Sequence, residues 1–404
     1  MTGGGDGRAR EGGAGRPAAG AGVGQADKAA GADKAAGPAK AAGADKAHSP
    51  GAALAAAGAV PGADPDDPVL TPPLRRALSA LRAAGHERAG LAVSGGADSA
   101  MLAVYATALA APLGLTFFIY HVHHGLFVEA DAWADRVRAL GVALGLPVRE
   151  LRVRVAADSG AGIEGAARVA RYAALADAAR ADGVRHVLLA HHQDDQAETV
   201  LLRLLRGAGP EGLVAMAPAA DRDGITYLRP WLGVPRARIL AAAAAYAQAS
   251  GWTAVQDPSN ADERYTRAAV RTLLTPVLDT RWPGWQAIVA RHARQAAESA
   301  EILAEVAAAD LAGLDPSAGA RDFSLAAWRA LSPARQAHVL RHWLRLHGAR
   351  MPSDARLAEL LRQLRQLHAM GHDRQLLWEH AAHCVRCVRG RVSIEARAPG
   401  ALSS

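Results

Sequence analysis

Lysine, cysteine and aromatic residues are scarce in this chain of 404 residues. All four lysines lie within the first 46 residues, so the P-loop motif GxxxxGK[ST], which needs a lysine against the phosphates, is excluded beyond Lys46. The only two cysteines, Cys384 and Cys387, cannot build a disulfide framework, and we expect a reducing compartment, the cytoplasm. No apolar run reaches the roughly 18 residues of a membrane span. The N-terminus also lacks a signal-peptide pattern, so we expect a soluble protein with no membrane contact.

The positive charge of the chain is carried by arginine. Residues 69–404 contain 39 arginines against 31 acidic residues. A guanidinium group binds phosphate through two parallel hydrogen bonds, so this composition suits a nucleic-acid partner. A genomic preference for arginine over lysine explains the same composition equally well. Charge alone therefore permits nucleic-acid binding without establishing it.

Composition divides the chain into four parts. Residues 1–68 contain a unit of six, Ala-Asp-Lys-Ala-Ala-Gly, at 26–31 and 32–37, followed by Pro-Ala-Lys-Ala-Ala-Gly at 38–43. A glycine ends every unit and no large side chain is available for a core, so we predict a disordered tail. Residues 69–275 alternate between strand and helix patterns and are predicted to form the catalytic domain. Residues 276–396 are mostly amphipathic helix, with a period-2 pattern near the end, and are predicted to form a second domain. Residues 397–404 are predicted to be a short tail.

The fold class follows from the alternation in residues 69–275. One helix pattern separates each pair of strand patterns, which predicts an α/β domain with a parallel sheet covered by helices on both faces. The predicted strands are 91–93, 115–121, 148–153 and 186–190, and the predicted helices are 99–109, 130–144, 164–181 and 197–206. Ligands of such sheets bind beyond the carboxyl ends of the strands, where the polar clusters of this chain fall.

The segment "SGGADS" follows the first predicted strand and opens a helix. Its glycines permit positive φ, and the amides at a helix N-terminus favour an anion. A carboxylate would repel bare phosphate, so Asp98 is predicted to be a magnesium ligand or a helix cap. An ordinary strand–helix turn with a capping aspartate is the alternative. The predicted ATP-binding residues are Ser94, Gly95, Gly96, Ala97, Asp98 and Ser99.

This loop resembles the SGGxDS pyrophosphate loop of the N-type ATP pyrophosphatases, which cleave ATP between the α and β phosphates. Four further motifs follow in order: "HVHHGL", "ARVARY", "HHQDDQAETVLLRLLRGAGPEGL" and "RPWLGVPRARI". Together with "DPSNADERYTRAAVR" they are similar to the tRNA(Ile)-lysidine synthases over some 180 residues. Residues 290–396 also resemble the substrate-binding domain of that family. The chain departs from the family pattern at His123 and Ala268, where asparagine is usual.

The resemblance implies a reaction, partners and cofactors. The expected activity is the ATP-dependent joining of L-lysine to the C2 position of the wobble cytidine in tRNA(Ile) with a CAU anticodon. An adenylated cytidine would be the intermediate, and pyrophosphate and AMP would be released. ATP and Mg²⁺ are the expected cofactors, and a homodimer is expected because the family is often dimeric. Some members carry a further C-terminal domain, which we do not expect here.

The "HHQDD" cluster supplies the other candidate catalytic groups. We predict Asp98, Asp194 and Asp195 to be catalytic, in magnesium binding, substrate positioning or removal of a proton from the attacking amine. One of Asp194 and Asp195 is expected to be a helix N-cap. The predicted substrate-binding residues are His121, His191, Glu198, Arg168, Arg171, Arg229, Arg267 and Arg271.

Several alternatives stay open on the sequence alone. Each of these arginines could instead lie on a solvated helix face. The histidines could bind a transition metal, although no nearby cysteine completes a zinc set. The rival functions are tRNA thiolation, which needs catalytic cysteines in the α/β domain, and a non-catalytic ATP-binding module. Amide transfer is a third rival, but no glutaminase domain is visible.

Overall fold

The structure is a computed structural model that describes residues 60–125, 128–154, 162–258, 262–367 and 375–397. Most of the predicted tail 1–68, up to residue 59, lies outside the described residues, as do residues 398–404 of the second tail. The described helices are α1 Thr71–Ala83, α2 Ala97–Ala108, α3 Ala110–Leu113, α4 Ala130–Leu144, α5 Gly162–Ala181, α6 Gln193–Leu205, α7 Arg236–Ser250, α8 Thr266–Ala269, α9 Thr275–Arg281, α10 Trp285–Ala312, α11 Leu325–Ala330, α12 Pro333–Leu346 and α13 Asp354–Gln366. The described strands are β1 Arg88–Ala92, β2 Thr116–His123, β3 Val148–Arg152, β4 His186–Leu188, β5 Ala219–Arg222, β6 Ile225–Leu228, β7 Asp322–Ser324, β8 Leu376–His380, β9 His383–Val388 and β10 Arg391–Ala396.

The first sheet has the strand order β3-β2-β1-β4-β6-β5. All neighbouring strands are parallel except β5, which pairs antiparallel with β6 at the edge. This confirms the predicted α/β class with a mostly parallel sheet. The hairpin of β5 and β6 was not predicted. The chain leaves β1 towards β2 on one side and reaches β4 on the other, so the loops after β1 and β4 flank a crevice at the carboxyl edge.

Apolar cores lie on both faces of this sheet. On one face α1, α2 and α7 pack together, with Leu74, Met101 and Tyr246 almost completely buried. On the other face α5 packs against the sheet through Leu175 and Ala179. Parallel strands covered on both sides are held rigidly, so the loops at their carboxyl ends have defined positions.

The second region combines helices with an antiparallel sheet of order β7-β10-β9-β8. Its core contains Trp328, Trp343 and Trp378, and the indole N–H of Trp343 donates to the carbonyl of Ala320 at 2.7 Å. The long helix α10 packs against both α6 and α12, so it joins the two regions. The predicted domain boundary near residue 275 lies within a continuous helical segment, residues 266–281. Within the described ranges, no helix is both long and apolar enough to cross a bilayer.

Candidate active site

The loop between β1 and α2 is held by its own serines. The amide of Ser94 donates to Oγ of Ser99 at 3.1 Å, and the two hydroxyl oxygens are also 3.1 Å apart. Oγ of Ser99 in turn donates to the carbonyl of Gly96 at 3.2 Å. These bonds curl the loop around the N-terminus of α2, whose first amides have no partner within the helix. The result is a backbone cradle of the kind that binds phosphate.

Gly95 is required by the loop geometry. Its φ is +95°, a conformation that L side chains rarely adopt. An added Cβ would also lie 3.1 Å from Cγ2 of Val255. The carbonyl of Gly95 accepts a hydrogen bond from the amide of Val255 at 2.9 Å, so the segment after α7 closes over the loop.

Asp98 lies in the first turn of α2 and faces two cationic or polar partners. Its oxygens accept from Nε and Nη2 of Arg236 at 3.5 and 3.4 Å. Nε2 of His192 lies 3.7 Å from Oδ2. Burial raises the pKa of Asp98, but His192 and Arg236 outweigh that effect and hold the pKa below its usual range. Asp98 is therefore an ionised carboxylate beside the phosphate cradle.

His192 and Asp195 form a reciprocal cap at the start of α6. The amide of Asp195 donates to Nδ1 of His192 at 3.3 Å, and the amide of His192 donates to Oδ2 of Asp195 at 3.1 Å. The N-cap of α6 is His192, whose imidazole accepts the amide of Asp195, and Asp195 is the third residue of the helix. The prediction that Asp194 or Asp195 would be the N-cap is therefore wrong. Because the cap uses the lone pair on Nδ1, the ring proton of neutral His192 lies on Nε2, which faces Asp98. Burial lowers the pKa of His192, yet the carboxylates around the ring raise it above its usual value.

Asp194 is the more open of the two acids. Its side chain is 29% exposed, against 12% for that of Asp195. Oδ2 of Asp194 accepts the backbone amide of Arg236 at 3.0 Å, and no arginine side chain of the described residues forms an ion pair with it. The carboxylate of Asp194 thus remains accessible from the crevice, whereas that of Asp195 is paired with arginines of the protein itself.

Asp195 and Glu198 lie one turn apart on α6 and face two arginines. Glu198 accepts from Nε of Arg267 at 2.7 Å and from Nε of Arg271 at 2.6 Å. Nη2 of each arginine also contacts Oδ1 of Asp195, at 3.2 and 3.1 Å. We call these four residues the α6 ion network. Its two carboxylates balance its two guanidinium groups, so both predicted substrate-binding arginines are paired within the protein.

The predicted histidines have separate environments. His121 is buried, and its Nδ1–H donates to the carbonyl of Val93 at 2.9 Å, which ties β2 to the segment after β1. Burial lowers the pKa of His191 to about 4, helped by the charges of Arg229, Arg267 and Arg168. Burial likewise lowers the pKa of His124 to about 4, helped by Arg171. His191 and His124 are therefore neutral at physiological pH.

The remaining predicted arginines have no carboxylate partner among the described residues. Arg168 and Arg171 lie on exposed positions of α5, and the guanidinium of Arg168 lies 5.2 Å from the ring centre of Tyr172. Arg229 is buried, and Nη1 donates to the carbonyl of Ala217 at 2.9 Å.

The fold accommodates both residues that depart from the family pattern. His123 contacts Asp131 at 3.1 Å, and Ala268 is buried in α8.

Sequence reasoning missed Arg236. Its side chain pairs with Asp98, and its backbone amide pairs with Asp194, so it links the loop after β1 to the loop after β4. The motif "RPWLGVPRARI" contains this residue, but nothing in the motif distinguishes Arg236 from Arg238, which pairs with Asp67 instead.

The side chains of the site fit a magnesium ion that is held partly by the substrate phosphates. Within the described residues, no group of three or more His, Cys, Asp or Glu side chains could hold a metal ion. Magnesium often binds through one or two carboxylates together with substrate phosphates and water. The ionised carboxylate of Asp98 beside the cradle fits that arrangement, and a cage made of protein ligands alone does not.

Two family models and several curated proteins are similar to this chain. A family model described as "PP-loop domain" matches residues 70–278, and one described as "TilS substrate binding domain" matches residues 323–393. The tRNA(Ile)-lysidine synthase of Bordetella bronchiseptica is 64% identical over 326 residues, which cover 81% of this chain and 94% of that protein. The chain belongs to the tRNA(Ile)-lysidine synthase family. The Bordetella pertussis member is 66% identical over 308 residues, covering 76% of this chain and 96% of that protein.

A more distant member of the family and one solved structure are also similar to this chain. The tRNA(Ile)-lysidine synthase of Ralstonia nicotianae is 45% identical over 321 residues, covering 77% of this chain and 65% of that protein. Among solved structures, the U34-tRNA thiolase NcsA from Methanococcus maripaludis matches with a TM-score of 0.42 and 12% identity, covering 55% of this chain and 78% of that chain. The assignment to the tRNA(Ile)-lysidine synthase family rests on the sequence matches.

Proposed function

We propose that this protein ligates L-lysine to the C2 position of the wobble cytidine of tRNA(Ile) with a CAU anticodon, at the expense of ATP. The observation that carries the proposal is the 64% identity to a tRNA(Ile)-lysidine synthase over 81% of the chain. It is supported by a lysine-free phosphate cradle that ends in an ionised aspartate. Such a cradle suits a departing pyrophosphate rather than transfer of the γ-phosphoryl group.

The reaction has two steps. The C2 oxygen of the cytidine attacks the α-phosphorus of ATP, the bond between the α-phosphorus and its bridging oxygen to the β-phosphorus breaks, and pyrophosphate leaves. The amine of lysine then attacks C2, a carbon–nitrogen bond forms, and the C2–oxygen bond breaks with release of AMP. The amine loses a proton in this step, so a carboxylate near the amine serves as clamp or base.

Different residues of the site are assigned to the two steps of the reaction. The loop from Ser94 to Ser99 would hold the pyrophosphate portion through backbone amides and two hydroxyl groups. Magnesium, held by Asp98 and the phosphates, would neutralise charge that develops on the leaving group. We propose that Asp194, the open carboxylate, receives the lysine amine. The α6 ion network, including Asp195, keeps α6 in place so that Asp194 faces the crevice.

We further propose that residues 276–396 form the tRNA-binding domain, since the substrate-binding family model lies within them. A tRNA substrate and a fold without disulfides are consistent with a cytoplasmic enzyme. We propose a homodimer on the family resemblance alone. Thiolation of tRNA is not favoured, because the sequence has no cysteine before Cys384.

The substitution Asp98→Asn tests the proposal. It keeps the shape of the side chain and removes the charge, so release of labelled pyrophosphate from ATP should fall by about 100-fold or more. Affinity for the tRNA, measured by filter binding, should change by less than about twofold because the proposed tRNA-binding domain, residues 276–396, is untouched. A matched control is Asp66→Asn, an exposed acid that precedes α1. Normal pyrophosphate release by the Asp98 variant would remove Asp98 from the chemistry.

A further inference from the structure

Arg229 is a buried charge without a counter-ion. The residue is 7% exposed, and Nε is fully buried without a hydrogen-bond partner. The only hydrogen bond of the guanidinium to the described residues runs from Nη1 to the carbonyl of Ala217. Nη2 is left without a partner in that part of the chain.

Other buried charged side chains of the described residues differ from Arg229 in this respect. Four acids are buried, and each of them forms an ion pair with an arginine: Asp67, Asp195, Glu198 and Asp310. Withdrawing a charge from water is costly unless an opposite charge or several hydrogen bonds compensate for it. A single carbonyl does not compensate for a guanidinium group, so the site of Arg229 is suited to an anion that the protein itself does not supply.

The position of Arg229 places this charge at the active-site edge. Arg229 follows β6 directly, and β6 lies beside β4 in parallel register. The amide of Leu189, just after β4, donates to the carbonyl of Leu228 at 2.8 Å. His191 lies two residues further on, and the charge of Arg229 disfavours its protonation. Arg229 therefore shares the crevice with the loop that carries Asp194.

Nearby acids do not neutralise this charge. The carboxylates of Asp195 and Glu198 are already balanced by Arg267 and Arg271 in the α6 ion network. Arg168, which also acts on His191, adds positive charge and has no carboxylate partner among the described residues. The local field around Arg229 is positive and favours a ligand that carries negative charge.

We propose that Arg229 binds the carboxylate of the amino-acid substrate, an assignment that rests on the proposed ligase function. The phosphates of ATP are expected at the loop after β1, and β6 is two strands away, or about 10 Å. A buried guanidinium whose Nε and Nη2 lack partners among the described residues admits a small carboxylate more readily than a bulky phosphodiester chain. Guanidinium and carboxylate are matched in shape, and the bond between them is charge-assisted. Arg229 would thus select an amino acid over a simple amine.

The test compares lysine with lysinamide, in which a neutral amide replaces the carboxylate. With ATP and the CAU-bearing tRNA, the unmodified protein should prefer lysine by about 10- to 100-fold in kcat/KM, the range of a hydrogen bond between charged groups. In Arg229→Gln, kcat/KM for lysine should fall by a similar factor to the lysinamide level. The lysinamide value and the KM for ATP should stay nearly unchanged. An equal loss for lysine and lysinamide would overturn the assignment and leave Arg229 a structural residue.

Two further variants make the test robust. Arg203→Gln removes a half-buried arginine that also binds a carbonyl, that of Gly212, at 2.8 Å, and it should leave the preference for lysine intact. Arg229→Lys keeps the charge and should retain part of the preference for lysine over lysinamide. This variant still tests the proposal if Arg229→Gln does not fold. Loss of the preference in Arg203→Gln, or full preference in a folded Arg229→Gln, contradicts the proposal.

A binding measurement separates this inference from the proposed function. Isothermal titration of lysine and of lysinamide into the full chain needs no tRNA modification. Tighter binding of lysine by the unmodified protein, abolished in Arg229→Gln, would support the carboxylate site even if no lysidine forms. Equal binding of the two compounds by the unmodified protein would overturn the site even if lysidine does form.

Discussion

The α6 ion network predicts that Glu198 contributes strongly to folding stability. Its side chain is only 6% exposed, and it accepts three hydrogen bonds from Arg267 and Arg271 at 2.6 to 2.9 Å. Glu198→Gln removes the negative charge while keeping the volume, so the two guanidinium groups lose one of the two carboxylates of the α6 ion network. Breaking a fully buried pair costs about 3–5 kcal/mol. Because the arginine side chains are 30% and 25% exposed, we expect a loss of about 2–4 kcal/mol in the free energy of unfolding.

Equilibrium denaturation in urea, monitored by circular dichroism, measures this loss. The matched control is Glu211→Gln, which removes a carboxylate that is 33% exposed and pairs with Arg345 at 2.8 Å. An exposed pair of this kind contributes about 0–1 kcal/mol, so the control should unfold near the same urea concentration as the unmodified protein. A Glu198→Gln variant within about 1 kcal/mol of the control would refute the argument that the network is a buried, mutually dependent unit.

Two further predictions concern the loops around the crevice. Gly95→Ala should destabilise the protein by about 1–3 kcal/mol in thermal unfolding, because φ is +95° and the new Cβ would lie 3.1 Å from Val255. The control Gly96→Ala, where φ is −70°, should be nearly neutral in that assay. The pKa of His124 is lowered to about 4 by burial, so the unfolded chain binds more protons between pH 6.5 and 4, and stability falls as pH falls through that window. His124→Asn should remove about 1–2 kcal/mol of the stability loss between pH 7.5 and pH 5, since solvent partly screens the half-buried ring, and an unchanged pH slope in urea titrations would contradict a neutral imidazole.

The sequence was most informative where pattern and structure are both local. The helix predicted over residues 130–144 matches α4, and the four predicted strands correspond to β1 to β4 with shifts of up to three residues at their ends. Strands β5 and β6 were missed because each has only four residues, too few for a clear period-2 pattern. The turn between them is Asp223-Gly224, with φ of 54° and 77°, and this dipeptide was the signal that could have revealed the hairpin.

Side-chain contacts between residues far apart in the sequence could not be predicted in the same way. The spacing of Arg267 and Arg271 shows that they share a helix face, but not that Asp195 and Glu198 lie opposite them. The preference of aspartate for N-caps predicted Asp194 or Asp195 at the start of α6, but the N-cap is His192, and Asp195 completes the capping box from the third helical position. Arg236 joins Asp98 from 138 residues away, a contact set by the parallel sheet rather than by any local motif.

The most direct test of the central claim is the transfer of labelled lysine to an isoleucine tRNA transcript with a CAU anticodon, in the presence of ATP and Mg²⁺. A transcript with a UAU anticodon is the matched control. We predict label on the CAU transcript only, stable to mild base that removes aminoacyl esters, with AMP and pyrophosphate formed in equal amounts. Pyrophosphate release without stable label on the CAU transcript would retain the ATP chemistry and contradict lysidine synthesis.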